Sequence, residues 1–158
     1  MKIQKLAAEF IGTSVLLIAV VGSSFMTATL TSDKALSLLI VGAVTAAALA
    51  IIIKAGADIS GSHYNPVVTG ALLLHRKINV PDAALYILAQ CFGAFSGVVV
   101  ANAMFSQSLI GSSVIERNGS GQFIGEIIAT SGLVYLALTA NGKCIWKLIP
   151  LWIFGAYF

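Results

Sequence analysis

Four apolar runs dominate the sequence, and each is long enough to cross a lipid bilayer as a helix. They are residues 6–27, 35–57, 81–104 and 122–140. A helix of about 20 apolar residues crosses roughly 30 Å of hydrocarbon and satisfies its own backbone hydrogen bonds there. Only 9% of the residues are charged and 58% are hydrophobic, whereas soluble domains carry about 25% charged residues. The sequence therefore predicts an all-α, multi-pass membrane protein.

A fifth apolar run, residues 145–158, is shorter than the other four. At 1.5 Å per residue it reaches only about 21 Å as a helix, which is less than the thickness of the hydrocarbon layer. The chain is therefore expected to end within the membrane, with four complete transmembrane helices and an incomplete fifth span.

The basic residues between the apolar runs predict how the chain is oriented. If the four long runs alternate in direction, one side receives Lys2, Lys5, Lys54, Arg76, Lys77, Lys143 and Lys147. The other side receives Lys34 and Arg117. Because cytoplasmic connections carry an excess of lysine and arginine, the N-terminus is predicted to be cytoplasmic. The net charge of +3 is small and scattered, so no nucleic-acid partner is expected.

The stretch "DISGSHYNPVVTGALLLHR", residues 58–76, places helix breakers before a short apolar run. Asn65 is a favourable N-cap and Pro66 a favourable first helical residue, which predicts a helix over 66–75. Such a helix is about 15 Å long, half of a bilayer. Irregular backbone survives at membrane depth only where it lines a cavity or is buried in protein. The stretch is therefore predicted to re-enter the membrane as a half-helix.

A re-entrant half-helix would bring about half a positive charge to the middle of the membrane. The Asn65 amide can cap the helix with its oxygen and direct its NH₂ group at a passing molecule. Together these groups would offer hydrogen bonds to a neutral solute and repel cations and protons. The alternative is a surface turn with an interfacial helix, but "VVTGALLL" has no polar face to lie against the headgroups.

Two segments, at the starts of the first and fourth runs, resemble each other. "EFIGTSVL" from Glu9 and "EIIATSGL" from Glu126 share five of eight residues. The two runs would cross the membrane in opposite directions, which is the pattern of an inverted repeat. We therefore expect one membrane domain over 1–158, with a first repeat over 6–104 and the start of a second over 122–158.

"SGSHYNPVVT" resembles the Ser-Gly-x-His-x-Asn-Pro-Ala-Val-Thr signature of the aquaporins, the major intrinsic protein family. The likeness covers the whole chain, through "AEFIGT", "YILAQCFGAFSG" and "GEIIATSGLV" in the first, third and fourth runs. "MFSQSLIGSSVIERNGSGQ" and the terminal "FGAYF" are most similar to a bacterial branch often found beside arsenic-resistance genes. The resemblance implies a pore within each subunit, built from six spans and two half-helices, and usually a homotetramer.

The resemblance also assigns the pore signature to six residues: Gly61, Ser62, His63, Asn65, Pro66 and Val67. The first three would line the cytoplasmic half of the pore with their backbone carbonyls, and the last three would form the signature triplet. Val67 stands where the family usually has alanine. Its two extra methyl groups could narrow the lumen or shift the helix packing.

Three further residues receive roles from the resemblance. Thr45 lies 20 residues before Asn65 and matches a selectivity-filter position that is usually aromatic in water-selective members. It therefore indicates a wider filter for glycerol or neutral metalloid hydroxides; the alternative is a small residue at a helix contact. Glu9 and Glu126 would brace the half-helix loops, with His63 in the same network and Glu9 as its partner. The alternative for these carboxylates is a proton relay.

The sequence offers no sign of catalysis, because it contains no paired carboxylates, cysteine cluster or nucleophile constellation. The chain is therefore predicted not to be an enzyme and to need neither a metal nor a cofactor. Cys91 and Cys144 are expected to be packed or inert thiols. The predicted function is passive passage of water or small neutral solutes across a lipid bilayer.

The resemblance places a second signature triplet, a filter arginine and a sixth span beyond residue 158. Without them the polar loop before Asn65 would be exposed to lipid or collapsed, so the chain alone is expected not to be a competent selective pore. The favoured hypothesis is a truncated or frameshifted member of the family that it resembles. Two alternatives remain: a complementing chain completes a split pore, or the protein is a non-conducting membrane assembly partner. A half-transporter working as an antiparallel dimer is disfavoured, because dual topology needs nearly balanced loop charges.

Overall fold

The computed structural model describes residues 3–111, 119–139 and 145–156. In these ranges the helices are α1 (Ile3–Leu30), α2 (Lys34–Gly56), α3 (Pro66–Leu74), α4 (Val80–Met104), α5 (Ser120–Thr139) and α6 (Ile145–Ala156). Helices α1, α2, α4 and α5 are long and apolar enough to cross a membrane. They match the four long runs of the sequence, which confirms the predicted all-α architecture. Helix α6 is shorter and matches the fifth run.

Side-chain caps fix where the second and fourth helices begin. The Oδ1 atom of Asp33 accepts hydrogen bonds from the N–H groups of Ala35 at 2.8 Å and Leu36 at 3.1 Å. At the start of α4, Asn79 Oδ1 accepts from the N–H of Asp82 at 2.8 Å. These amides have no acceptor within their own helix, so the caps satisfy them.

Helix α1 packs most extensively on α4, through small residues. Ser14 Oγ donates a hydrogen bond to the carbonyl of Gly93 at 2.8 Å. A Cβ atom at Gly93 would overlap the Phe10 carbonyl, and one at Gly97 would overlap the Ser14 carbonyl. The Gly-x-x-x-Gly spacing on α4 therefore lets the two backbones approach closely, as is common between helices in membranes.

Helix α5 lies at the margin of the described structure, in contact with α3 and α6. None of its residues is buried. The indole N–H of Trp152 on α6 donates to the carbonyl of Ala129 at 2.8 Å, and the indole ring occupies the space beside Gly132. Helix α6 also packs on α2, where Ile149 joins the main apolar cluster. The buried members of that cluster are Leu49, Ile52, Ile53, Tyr64 and Ile149.

Large apolar side chains are exposed on the outside of the long helices. The exposed fractions are 68% for Ile51, 65% for Phe92 and 57% for Phe95. Soluble monomers rarely expose contiguous apolar surface on this scale, whereas a bilayer solvates it. Together with the four membrane-length helices, this surface identifies an integral, multi-pass membrane protein.

Three basic residues from two segments meet at one end of the molecule. Lys5 at the start of α1 lines the same cavity, of about 700 Å³, as Arg76 and Lys77 after α3. This proximity agrees with placing these three residues on one side of the membrane. Of the other residues used to predict orientation, Lys2, Arg117 and Lys143 lie outside the described residues. A cytoplasmic N-terminus stays a prediction.

Candidate functional site

The half-helix begins where the sequence predicts it. Asn65 is extended, with φ −150° and ψ 125°, and its Oδ1 accepts a hydrogen bond from the N–H of Val67 at 2.7 Å. Pro66 occupies the first turn, where a missing N–H costs nothing. Helix α3 ends at Leu74, one residue before the predicted end, and His75 caps it. Its nine residues make it about 13 Å long, too short to cross a bilayer.

The loop that leads into α3 has an unusual backbone. Gly61, Ser62 and Tyr64 all have positive φ angles, of 89°, 55° and 48°. For residues other than glycine this region costs about 1–2 kcal/mol each, so the loop needs support from its surroundings. The support comes from buried acceptors: the Ser62 N–H donates to Ser60 Oγ at 3.1 Å, and the Tyr64 N–H donates to Glu9 Oε2 at 2.7 Å.

Glu9 is the centre of this support. Its side chain is fully buried, with 0% of its surface exposed. Its Oε1 accepts from Ser60 Oγ at 2.5 Å and from the His63 N–H at 3.1 Å. Its Oε2 accepts from the Tyr64 N–H at 2.7 Å and from Gln90 Nε2 at 2.8 Å. Four donors thus surround one carboxylate, which is what a charge in a low-dielectric setting requires.

His63 reaches Glu9 through its backbone rather than its ring. The ring instead places Nδ1 at 3.1 Å from Thr69 Oγ1 and packs against Tyr86, with the ring centroids 4.9 Å apart. The Tyr86 hydroxyl donates to the Ser60 carbonyl at 2.8 Å. The loop is therefore held from α1, α3 and α4 at once. Its buried side-chain polar atoms all have hydrogen-bond partners in the described structure.

Gln90 and Thr69 are functional-site residues that the sequence reasoning missed. Gln90 Nε2 donates both to Glu9 and, at 2.9 Å, to Thr69 Oγ1, and Gln90 is only 1% exposed. A polar amide within an apolar run was the available signal, because such groups are costly in a membrane unless they have a task.

Tyr64 was also missed, and it acts as a wedge. Its side chain is 6% exposed, and its hydroxyl donates to the Ile52 carbonyl at 3.0 Å. The ring fills the space beside Gly12 on α1, and its hydroxyl fills the space beside Gly56 on α2, so a Cβ at either glycine would overlap it. The sequence gives no signal for this fit, because it depends on how closely α1 and α2 approach.

A cavity of about 210 Å³ lies beside the loop and the start of α3. Its polar lining comes from Thr45, Gly61, Ser62, His63 and Asn65. The rest of the lining is mainly aliphatic and includes Leu16, Val20, Leu49, Ile149 and Ile153. The structure thus brings five sequence-predicted site residues to one partly apolar cavity, an arrangement suited to a small neutral molecule.

Val67 and Glu126 lie on a different surface. Val67 is 53% exposed and, with Glu126, lines an open groove of about 610 Å³ beside α5. Unlike Glu9, the Glu126 side chain is exposed, and it has no hydrogen bond or ion pair within the described ranges. The structure therefore does not bring Glu126 to the loop before α3. Among the described residues, no group of three or more His, Cys, Asp or Glu is placed to hold a metal ion.

These features define a class of protein: a multi-pass helical membrane protein with a capped half-helix at a cavity. The sequence matches the model of the family described as "Major intrinsic protein" over residues 1–158. The chain therefore belongs to the major intrinsic protein family, as the resemblance implied. This family consists of channels.

Two of its relatives show how far the similarity extends. Aquaglyceroporin AqpS of Rhizobium meliloti (strain 1021) is 34% identical over 157 residues, which cover 98% of this chain and 67% of the relative. Aquaporin PIP2-1 of Arabidopsis thaliana is 39% identical over 97 residues, which cover 58% of this chain and 34% of the relative. The chain therefore spans about two thirds of AqpS and about a third of the plant aquaporin.

Proposed function

We propose that the protein provides a passive route across the membrane for water or small neutral solutes, such as glycerol or neutral metalloid hydroxides. The observation that carries this proposal is the cavity of about 210 Å³ whose lining combines aliphatic side chains with Thr45, Gly61, Ser62, His63 and Asn65. Asn65 uses its side-chain oxygen for the helix cap, so its NH₂ group remains to donate a hydrogen bond to a solute. The N-terminus of α3 adds a positive potential that disfavours cations.

In this proposal the pore signature consists of Gly61, Ser62, His63, Asn65, Pro66 and Val67. Thr45 forms part of the selectivity filter, where a small side chain admits solutes larger than water. Similarity to a relative named an aquaglyceroporin supports this choice of solutes. Glu9 is the structural brace of the first half-helix, and Glu126 is its counterpart for a second one. The protein is not an enzyme, and the site uses neither a cofactor nor a metal.

Residues 1–158 by themselves are proposed not to form a selective pore. The groove beside Val67 and Glu126 is open, so the N-terminus of α3 lacks a wall on that side. An open side lets lipid and bulk water reach the polar groups that would otherwise select a solute. The missing wall would come from a complementing segment or chain, and a homotetramer would form around such completed subunits. The alternative is a non-conducting assembly partner.

The proposed setting is a bacterial inner membrane with a cytoplasmic N-terminus. Its support is the common position of Lys5, Arg76 and Lys77 at one end of the molecule, since lysine and arginine accumulate on the cytoplasmic side. Modification by a membrane-impermeant amine reagent in inverted and right-side-out vesicles tests this orientation. Labelling of Lys5 only from the cytoplasmic face is expected, and labelling from the opposite face would reverse the topology.

Stopped-flow light scattering of proteoliposomes tests the transport proposal with two proteins. The first consists of residues 1–158, and the second continues them with the part of AqpS that this chain does not match. Water and glycerol flux equal to that of empty liposomes is expected for the first, and flux well above it for the second. Flux through the first protein would contradict the proposal that residues 1–158 alone form no selective pore. A second protein that folds but does not conduct would favour the alternative, in which the chain is a non-conducting assembly partner.

A pair of substitutions in the longer protein distinguishes a loss of solute binding at Asn65 from a general loss of folding. Asn65→Asp keeps a good N-cap but replaces the NH₂ donor with a carboxylate oxygen, so neutral-solute flux is expected to fall strongly. Gln122→Glu makes the same amide-to-carboxylate change at an exposed residue outside the cavity of about 210 Å³, and should leave flux unchanged. Equal effects of the two substitutions would remove Asn65 from the solute path.

A further inference from the structure

The ring of His63 has one nitrogen whose role the backbone bracing does not explain. Its Nδ1 contacts Thr69, but its Nε2 has no hydrogen-bond partner in the part of the chain that the structure describes. Every buried side-chain nitrogen or oxygen in that part of the chain has a hydrogen-bond partner. Because Nε2 has none, this atom is not buried. His63 lines both the cavity of about 210 Å³ and the basin of about 700 Å³. Whether Nε2 offers a proton or a lone pair depends on where the ring carries its hydrogen.

The hydrogen bonds at Glu9 determine how the Gln90 amide is oriented. All four of its partners are donors, and a carboxylate only accepts. The Gln90 amide must therefore turn its NH₂ group, and not its oxygen, towards Glu9. The same NH₂ group has a second hydrogen, and the atom it reaches is Thr69 Oγ1 at 2.9 Å. The Thr69 oxygen consequently accepts from Gln90.

The Thr69 hydroxyl in turn determines whether His63 Nδ1 donates or accepts, because that hydroxyl has a single hydrogen. The Asn65 carbonyl, at 3.2 Å, and Gln90 Oε1, at 3.4 Å, can only accept that hydrogen. The bond to Asn65 follows the usual helical pattern, in which a threonine donates to the carbonyl four residues earlier. The remaining lone pair of Thr69 Oγ1 then faces His63 Nδ1 at 3.1 Å. For that contact to be a hydrogen bond, Nδ1 must carry the hydrogen.

We propose that Glu9, through Gln90 and Thr69, holds His63 in the Nδ1–H tautomer, so that Nε2 presents an unprotonated lone pair to the cavity. His63 is then a specificity-determining acceptor for water or for the hydroxyl group of a solute. Asn65 supplies a donor in the same cavity. A hydroxyl group both donates and accepts, so the pair suits neutral hydroxylated solutes. This assignment of solute rests on the proposed function, whereas the tautomer does not.

The chain is well suited to a direct test, because it contains two histidines. The other, His75, is exposed, and His75→Gln leaves His63 as the single histidine. In ¹⁵N-histidine-labelled protein in lipid bilayers, solid-state NMR separates protonated from unprotonated ring nitrogens. The hydrogen bond to Thr69 is expected to make the Nδ1–H form the majority species. Free histidine prefers the opposite tautomer, so a majority of Nε2–H would overturn the proposal.

Two substitutions at Thr69 distinguish a specific hydrogen bond from general packing. Thr69→Val keeps the branched shape but removes the acceptor, and it should return the ring to the Nε2–H form. Thr69→Ser keeps the hydroxyl and should retain Nδ1–H. An unchanged tautomer ratio in the valine variant would also overturn the proposal. If that variant does not fold, the spectrum of the protein with an intact Thr69 still decides.

The orientation of Nε2 has its own measurement in the same samples. Magnetisation transfer from water protons should reach Nε2 of His63, because that atom faces a cavity. No transfer to Nε2 would mean that the ring is turned away and cannot accept from a solute. None of these spectra requires flux, so a failure of transport and a failure of the tautomer assignment are distinguishable.

Discussion

Replacing Glu9 with glutamine is the most informative perturbation of the site. Each carboxylate oxygen accepts two hydrogen bonds: Oε1 from Ser60 and His63, and Oε2 from Tyr64 and Gln90. Whichever oxygen becomes an NH₂ group, two buried donors lose their acceptor. Hydrogen bonds to a charged group contribute about 1.5–3 kcal/mol each, so the loss is about 3–6 kcal/mol. Most single substitutions cost about 0.5–3 kcal/mol.

Hydrogen–deuterium exchange of the loop amides in detergent or lipid measures this loss locally. The amides of His63 and Tyr64 donate to Glu9, and their exchange reports the free energy of local opening. A loss of about 3–6 kcal/mol corresponds to exchange about 10²- to 10⁴-fold faster. Glu126→Gln is the matched control, because that carboxylate is exposed and should change exchange little. If Glu9→Gln accelerates exchange no more than Glu126→Gln does, the bracing argument is wrong.

Four further substitutions test other residues in and around the site. Gly12→Ala should destabilise the loop by about 1–3 kcal/mol, because the new methyl group overlaps the Tyr64 ring. Gly70→Ala, which meets no atom within 4 Å, should stabilise by about 0.5–1 kcal/mol; the same exchange measurement compares the two. Tyr64→Phe removes the bond to the Ile52 carbonyl and should speed loop exchange by an amount worth about 0.5–1.5 kcal/mol; unchanged exchange would contradict this. In the longer, conducting protein, Thr45→Phe should reduce glycerol flux more than water flux, and equal reductions would remove Thr45 from the filter.

The sequence predicted the helices because their causes are local. Length and hydropathy define the four spans, and an asparagine followed by proline starts α3 at Pro66. The structure places Thr45 and Asn65 at one cavity, and the role of Thr45 in a selectivity filter stays a prediction. Each of these features follows from residues close together in sequence or from a fixed spacing along a signature. They could therefore be predicted from the sequence.

The parts that the sequence did not predict depend on contacts between distant helices. Gln90 on α4 meets Glu9 on α1 only because Gly93 and Gly97 let those helices approach. Tyr64 is a wedge only because α1 and α2 leave room beside glycines. A repeat in the sequence also suggested equal roles for Glu9 and Glu126, yet the structure surrounds one with four donors and leaves the other exposed.

The contrast between the two acids explains why the half-helix loop is stable in this structure. Every donor to Glu9 comes from the loop before α3 or from α4, both within 6–104. The hydrogen bonds to Glu9 therefore need nothing from α5 or α6, although Tyr64 also packs in the apolar cluster that contains Ile149 of α6. A carboxylate without donors in a membrane is costly. If the same principle governs Glu126, the proposed complementing segment is expected to supply donors to it, and the open groove beside Val67 is one side from which they could approach.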